Sequence, residues 1–379
     1  MKNIALNILL LLFVFTSCGS SKKHENNQSD PTKQEVLTTL TKTNKYFMDK
    51  WPDTGKTIIT NKERPSNIWT RAVYYEGLMD LYKLTGDKQY LNYAVSWGNS
   101  HNWGLAGRGV AGRHADYQAC GQTYIELYNL DEQDSIRIRD IKKSIDLMMA
   151  TDKIDDWDWI DALQMAMPIF EQLTVLTGDK SYAERAYQMY ADTKNRQGLW
   201  NEDDDLWWRD ADFLPPYKEP NGEDCYWARG NGWVVATYCR VLSINPNDSH
   251  AEEYKTMLIK MLNALTKIQR EDGFWNVSLH DPTNYGGKEV SGTSLFIYGM
   301  AWAENHGLVE KGTYRKTIMK GWNAIANEAV HENGFIGYMQ GTGKEPKDGQ
   351  PVTYTSVPDF EDYGLGCVLM AGCEIYKML

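Results

Sequence analysis

The sequence predicts an all-α protein, an (α/α)6 barrel of six helical hairpins, and three observations support this prediction. From residue 34 onward, apolar residues recur with helical spacing, and the alternation typical of β-strands is scarce. The phrase Leu-Thr-Gly-Asp-Lys occurs at 84–88 and again at 176–180, each time between two helical patterns. Six apolar segments alternate with more highly charged ones, such as 254–269 and 314–329. An α-solenoid is the alternative, because a sequence does not show whether helices close into a ring.

The first 33 residues are expected to lie outside the barrel. Lys2 precedes an apolar run at 8–15 that is too short to span a bilayer and is typical of a secretory signal. Cys18 follows small residues, as in a bacterial lipoprotein site. We therefore expect a signal peptide over 1–17, a lipidated Cys18, a flexible tether over 18–33 and a barrel domain over 34–379. The protein would then be a membrane-anchored lipoprotein, held by its N-terminal lipid only and facing the periplasm of a Gram-negative bacterium.

The apolar segments of the barrel domain are predicted to form the inner ring of helices. They run over about 69–84, 116–130, 160–176, 232–244, 293–306 and 363–378. In the repeated turns, Gly86 and Gly178 supply left-handed helix stops, and Asp87 can cap the next helix. If the inner helices are parallel, the loops before them meet on one rim. These loops carry the unusual polar and aromatic residues, so that rim is the candidate site; they are 67–69, 113–116, 157–161, 227–233, 291–293 and 359–363.

Composition narrows the choice of partners. Lys plus Arg number 40 and Asp plus Glu 51, a net charge of −11, which argues against a nucleic-acid partner. Fourteen Trp and 23 Tyr against nine Phe favour a polar ligand with apolar faces, although a helical core accounts for most of these rings. We expect no cofactor and no metal, with a calcium site at 203–205 left open; the oligomeric state is not indicated. The remaining cysteines form no Cys-x-x-Cys pair and are expected to be small buried residues in helices: Cys120, Cys225, Cys239, Cys367 and Cys373.

Two aspartates are the candidate catalytic residues. Asp116 and Asp161 open neighbouring inner helices in the same register, each flanked by aromatic residues. Either alone is most simply a helix-start residue. Together they suit general acid–base chemistry, because each carboxyl changes the pKa of the other. Of the two indoles beside Asp161, Trp157 and Trp159, at least one is expected to face the core.

Further residues of the rim are candidates for ligand binding. Arg229, within the sequence Trp-Ala-Arg-Gly-Asn-Gly-Trp at 227–233, has a planar fork of donors that matches a carboxylate; the alternative is an Arg bonded to backbone carbonyls. Gly230 and Gly232 are expected to let the backbone turn sharply and to leave room for a ligand. Arg209 either binds a second acidic group or pairs with the acidic run at 202–205. His114 either orients a ligand hydroxyl or is satisfied near the helix end. The stacking candidates are Trp69, Trp227 and Trp233.

These motifs resemble glycoside hydrolase family 105, the unsaturated glucuronyl and rhamnogalacturonyl hydrolases. The resemblance rests on His-Ala-Asp at 114–116, the run through Asp161 and the sequence at 227–233, and covers about 35–379. It implies an (α/α)6 barrel without metal or cofactor. It also implies an unsaturated acidic oligosaccharide substrate, in which Asp161 protonates C4 of a Δ4,5-uronate while Asp116 holds ring hydroxyls. Arg229, Trp227 and Trp233 would line the uronate subsite.

Some members of that family carry a His near the position of Arg209, which hints at a more anionic neighbouring sugar here. We therefore expect ulvan fragments, Δ-glucuronyl-rhamnose 3-sulfate, with rhamnogalacturonan and arabinogalactan fragments left open. A saturated glycosidase or epimerase on the same barrel and a lipid-anchored glycan-binding protein are the competing hypotheses.

Overall fold

Thirteen α-helices are found in the described part of the chain, which in this computed structural model is residues 29–59, 62–130, 134–355 and 362–379. The inner ring contains α2 (Trp69–Thr85), α4 (Ala115–Gln118) with α5 (Cys120–Leu130), α7 (Asp161–Thr177), α9 (Ala228–Ile244), α11 (Val290–Asn305) and α13 (Asp362–Met378). The outer helices are α1 (Lys33–Lys50), α3 (Lys88–Ser100), α6 (Ile136–Met149), α8 (Ser181–Ala191), α10 (Ala251–Lys267) and α12 (Arg315–Ala324). The all-α prediction of six hairpins is confirmed, with the second inner helix interrupted at Ala119.

Contact between the last and first inner helices closes the ring, which makes the structure a barrel and not a solenoid. The backbones of α2 and α13 meet at Gly77 and Gly366, where a Cβ on Gly77 would lie 2.4 Å from the Gly366 oxygen. Only glycine allows this approach. Arg71 Nε lies 3.0 Å from Asp362 Oδ2 across the same junction, and both side chains are fully buried. Closure therefore depends on two pairs of residues that are far apart in sequence.

Two short antiparallel hairpins accompany the helices. Strand β1 (Ile58–Ile59) pairs with β2 (Glu63–Arg64), and β3 (Trp200–Asn201) pairs with β4 (Leu206–Trp207). The acidic run 202–205 forms the turn between β3 and β4. Asp204 Oδ2 accepts a hydrogen bond from the Tyr226 hydroxyl at 2.7 Å. Among the described residues, no group of three or more His, Cys, Asp or Glu side chains is placed to hold a metal ion.

The local signals for turns and cysteines are largely confirmed. Gly86 and Gly178 end α2 and α7 with φ of 70° and 76°, and Asp87 caps α3 by accepting from the Gln89 N–H at 2.9 Å. All five cysteines that the structure describes are free and buried. Cys225 differs from the expectation, because it lies in the loop before α9 and not in a helix.

The signal peptide, Cys18 and the tether as far as residue 28 lie outside the described residues, as do 359–361 of the predicted sixth rim loop. Residues Pro31–Leu379 form one compact unit. In the described ranges, no helix is both long and apolar enough to cross a membrane.

Candidate active site

A cavity of about 190 Å³ opens on the rim where the inner helices begin. Side chains at the starts of three inner helices reach it: Trp69 on α2, Asp116 on α4 and Asp161 on α7. The structure thus brings the two candidate aspartates into one cavity on the expected rim. Its full lining is Arg64, Trp69, Asp116, Trp159, Asp161, Met165, Arg209, Thr342 and Gly343.

Asp161 is held by Arg209. Arg209 Nε donates to Asp161 Oδ2 at 3.1 Å, and Arg209 Nη1 donates to Asp210 Oδ2 at 2.6 Å. The Ile160 N–H donates to the Arg209 carbonyl at 3.0 Å, which ties this loop to the start of α7. Burial raises the pKa of Asp161, while the charges of Arg209 and then Arg229 act against that rise. The expected alternative, pairing of Arg209 with the acidic run 202–205, is therefore wrong: its carboxylate partners are Asp161 and Asp210.

Asp116 has a raised pKa in the cavity that it shares with Asp161. Its side chain is 26% exposed in the cavity. Burial, followed by the negative charge of Asp161, raises the pKa of Asp116 to about 7. The charge of Arg209 acts in the opposite direction and favours the ionised form of both carboxyls. Two carboxyls in one cavity, each with a raised pKa, can serve as acid and base.

His114 is held near the helix start and also faces the rim. Its Nδ1 accepts from the Asp116 N–H at 3.3 Å, and its ring centroid lies 4.7 Å from that of Trp159. Because Nδ1 accepts, the proton of the neutral ring is on Nε2, and burial lowers the pKa of this imidazole. Trp159 lines the cavity, whereas Trp157 is fully buried with its ring edge against Phe170. One of the two indoles thus faces the core, as expected.

Arg229, Trp227 and Trp233 lie behind the cavity wall, contrary to the expectation of direct ligand contact. Arg229 is fully buried, and its fork donates to the carbonyls of Gln340 and Gly341 at 3.1 and 2.8 Å. Trp227 Nε1 donates to Gln340 Oε1 at 2.8 Å, and Trp233 packs its edge on Trp69 with centroids 6.2 Å apart. The physical reason is that backbone carbonyls already bind both terminal amino groups of the guanidinium. These residues therefore position 340–341, next to the wall residues Thr342 and Gly343.

The glycines of this segment also differ from expectation. Gly230 and Gly232 were expected to turn the backbone and leave room for a ligand, but both lie within the first turns of α9. A Cβ on Gly232 would lie 2.8 Å from Leu295 Cβ, so the missing side chain lets α9 approach α11 closely. These two glycines therefore serve the packing of α9 against α11. The start of the helix was predicted too late because glycine disfavours helix formation.

Four wall residues were not predicted: Arg64, Met165, Thr342 and Gly343. Met165 follows Asp161 by four positions on α7, so helical spacing could have identified it as a neighbour on the same face. Arg64 lies on the two-residue strand β2, and Thr342 with Gly343 lies in an irregular segment. No periodic pattern points to these three.

Replacing Asp116 with Asn is expected to change how stability depends on pH. The folded-state pKa of Asp116 is raised above its unfolded value of 3.8, so native protein binds more protons between about pH 4 and 7. This group therefore costs stability as pH rises through that window. The variant should be more stable than wild type at pH 8 by up to about 4 kcal/mol, and the difference should vanish near pH 4. Urea unfolding at both pH values measures it; exposed Asp158→Asn is the control, and equal differences at both pH values would contradict the prediction.

Comparison with known proteins agrees with the fold. Glycosyl Hydrolase Family 88 matches residues 39–379. Two curated proteins named unsaturated 3S-rhamnoglycuronyl hydrolase are each 30% identical to this chain. The one from Formosa agariphila aligns over 82% of this chain and 84% of its own, and the one from Alteromonas sp. over 83% and 78%. A solved structure titled glycosyl hydrolase family 88 from Bacteroides vulgatus has a TM-score of 0.83 and 32% identity, covering 92% of this chain and 100% of that one.

Proposed function

We propose a specific substrate from the premise that this chain belongs to Glycosyl Hydrolase Family 88 and is a glycoside hydrolase acting on unsaturated uronyl oligosaccharides. The proposed reaction removes a Δ4,5-unsaturated glucuronic acid from the non-reducing end of lyase-generated ulvan fragments, at Δ-glucuronyl-rhamnose 3-sulfate. The names of the two curated relatives support this substrate class. The observation that carries the proposal is the placement of Asp116, Asp161 and a cationic Arg209 in one cavity.

The proposed chemistry is hydration of the vinyl ether. Asp161 gives its proton to C4 of the unsaturated ring, and water adds its oxygen to C5 while returning a proton to the Asp161 carboxylate. The resulting hemiketal at C5 opens and releases the next sugar. Asp116 binds ring hydroxyls, and its charge state tunes Asp161 through the repulsion between the two carboxyls. His114, with its Nε2 proton, supplies a further hydroxyl contact at the rim.

The position of Arg209 supports the proposal that the next sugar of the substrate carries an anionic substituent. In the ligand-free structure the guanidinium favours ionised Asp161, which opposes the role of Asp161 as a proton donor. A sulfate that binds Arg209 draws its charge away from Asp161 and so raises the proton affinity of that carboxyl. Arg209 lines the cavity with its side chain 19% exposed, so a ligand can reach it. Substrate binding and protonation of Asp161 are thereby linked through one residue.

The test of the function is the loss of ultraviolet absorbance that accompanies hydration of the conjugated double bond. The substrates are ulvan, rhamnogalacturonan and arabinogalactan lyase products, assayed as a panel. Preference for ulvan products supports the proposal, and preference for either of the others replaces it. A saturated glycosidase or epimerase would turn over saturated substrate with the absorbance unchanged, and a glycan-binding protein would bind without forming product.

Replacing Arg209 with Gln should reduce kcat/KM on the sulfated disaccharide by about 10- to 100-fold, because a hydrogen-bonded charge pair is lost. The same substrate after chemical desulfation is the matched control, and its kcat/KM should fall much less in the variant. Steady-state absorbance assays on both substrates give the comparison. Equal losses on the two substrates would show that Arg209 does not recognise sulfate.

We also propose that Cys18 is lipidated and anchors the enzyme to a membrane facing the periplasm of a Gram-negative bacterium. The support is the sequence pattern of an apolar run followed by small residues and Cys18. Fatty-acid labelling of the full chain, with recovery in the membrane fraction, tests it; an unlabelled, freely released protein would overturn it.

A further inference from the structure

We infer that the end of the barrel opposite the catalytic cavity holds a second binding site, for a small hydroxylated carboxylate. A cavity of about 520 Å³ opens where the C-terminal halves of the six inner helices converge. Each of these helices contributes to its lining, with Asp80, Glu126, Gln172, Arg240, Tyr298 and Glu374. Arg240 follows Trp227, the residue before α9, by 13 positions, so the two ends of this helix are about 20 Å apart. The two cavities are therefore separate.

Arg240 provides the central donor of this site. Its side chain is 8% exposed in total, and its Nε donates to Gln122 Oε1 at 2.9 Å. Nε also lies 3.5 Å from Glu76 Oε2, so the stem of the guanidinium is fixed from inside the barrel. The two terminal amino groups make no hydrogen bond within the described part of the chain and lie at the cavity that Arg240 lines. A planar fork held in this way matches the two oxygens of a carboxylate.

Two further buried groups at this cavity are unpartnered. Tyr298 is 4% exposed, and its hydroxyl has no hydrogen-bond partner among the described residues. Gln172 is 8% exposed; its Nε2 donates to the Gln122 carbonyl at 3.1 Å, which leaves Oε1 unpaired. A buried polar group without a partner costs free energy, so a ligand that satisfies it is stabilised. The Tyr298 hydroxyl matches a hydroxyl group of a ligand, whereas Gln172 Oε1 is fully buried beneath the cavity surface.

The charges at the cavity leave the fork of Arg240 available. Lys83 pairs with Glu126 at 2.7 Å and lies 3.6 Å from Asp80, and Lys377 pairs with Glu374 at 2.6 Å. These two lysines balance two of the three acids, and Arg240 is the third base that lines this cavity. Burial raises the pKa of Glu76 to about 7, so the carboxyl closest to Arg240 is only partly ionised at neutral pH. Glu76, Asp80 and Glu126 keep the guanidinium cationic by raising its pKa, and an incoming carboxylate would bind its two terminal amino groups, which make no hydrogen bond in the described part of the chain.

The experiment is a titration of the full chain with D-glucuronate, with D-glucose as the uncharged control. The reporter is the indole N–H resonance of Trp302, which lines this cavity and donates to Ser243 Oγ at 2.8 Å. The indole of Trp69 reports on the catalytic cavity. Glucuronate should shift the Trp302 resonance saturably, and glucose should not. The variants Trp302→Phe and Trp69→Phe each lack one indole N–H, so the resonance that disappears in each variant assigns the two signals.

Two conservative variants test the recognition. Arg240→Lys keeps the charge beside Glu76 but removes the fork, and should weaken the Trp302 response at least about tenfold. Tyr298→Phe removes one hydroxyl and should weaken the Trp302 response less than Arg240→Lys does. This second variant still tests the inference if Arg240→Lys folds poorly. An unshifted Trp302 resonance, an unchanged midpoint in both variants, or an equal response to glucose would overturn the inference. Hydrolysis is measured separately by absorbance loss. A failure of the proposed hydrolase function can therefore be distinguished from a failure of glucuronate binding at this second cavity.

Discussion

Replacing Asp161 with Asn is expected to slow the absorbance loss by about 100- to 10,000-fold, the usual contribution of a general acid. The amide has nearly the same shape and still accepts the hydrogen bond from Arg209 Nε, but it has no proton to give to C4. The loss should therefore appear in kcat, with a smaller change in KM. Steady-state kinetics on the preferred unsaturated substrate measures it.

A matched control separates chemistry from local damage. Asp158 belongs to the same loop but is exposed and is not part of the cavity wall. Asp158→Asn should keep a rate close to that of wild type. If Asp161→Asn behaves like this control, the assignment of the proton donor is wrong.

Asp116→Asn then tests how the two carboxyls divide their roles. Burial and the charge of Asp161 raise the pKa of Asp116 to about 7, while Arg209 favours the ionised form of Asp161. If Asp161 is the donor once substrate occupies Arg209, its replacement should cost more than that of Asp116. The double variant should be little slower than Asp161→Asn, because residues that act as a unit are not additive. The reverse order of losses would make Asp116 the donor.

Replacing Arg71 with Met is expected to lower the free energy of unfolding by about 3–5 kcal/mol, because it leaves Asp362 buried without its partner. Arg71 Nε lies 3.0 Å from Asp362 Oδ2 with both side chains fully buried. The guanidinium also lies 4.9 Å from the Phe47 ring and 4.8 Å from the Trp51 ring, so it connects α1, α2 and α13. Urea unfolding measures the loss, which reports on the junction that closes the barrel.

The exposed pair Lys45 and Asp49 is the control for this prediction. Their side chains are 74% and 64% exposed on α1, with 2.8 Å between charged atoms. Lys45→Met should change stability by less than about 1 kcal/mol, since solvent screens exposed ion pairs. A double variant, Arg71→Met with Asp362→Asn, should recover part of the loss because the uncompensated charge is removed. Equal effects of the buried and exposed substitutions would contradict the closing role of Arg71.

Most of the fold could be predicted because its signals are local. The first inner helix was predicted over 69–84 and runs over Trp69–Thr85; the last was predicted over 363–378 and runs over Asp362–Met378. Gly86 and Gly178 mark helix ends by a backbone conformation that one residue determines. The start of α9 was predicted four residues late, since Gly230 and Gly232 weaken a helical pattern that close packing against α11 restores.

The rim and the two aspartates could also be predicted from the order of elements along the chain. Parallel inner helices place every preceding loop at the same end, so Asp116 and Asp161 had to be neighbours. Which aromatic and basic side chains face the ligand depends on partners from distant segments. Arg229 points to the carbonyls at 340–341, more than a hundred residues away, and so lies behind the wall.

The sequence by itself determined the helical class, the hairpin order, the rim and the candidate pair of aspartates, because periodicity, helix caps and turn glycines act over a few residues. Only the tertiary structure decided that the ring closes, through the contact of Gly77 with Gly366 and the ion pair of Arg71 with Asp362. It also decided that Arg209 pairs with Asp161 and that 340–343 completes the site. Hydrogen bonds and charge pairs between distant segments depend on positions in space, which local pattern does not encode.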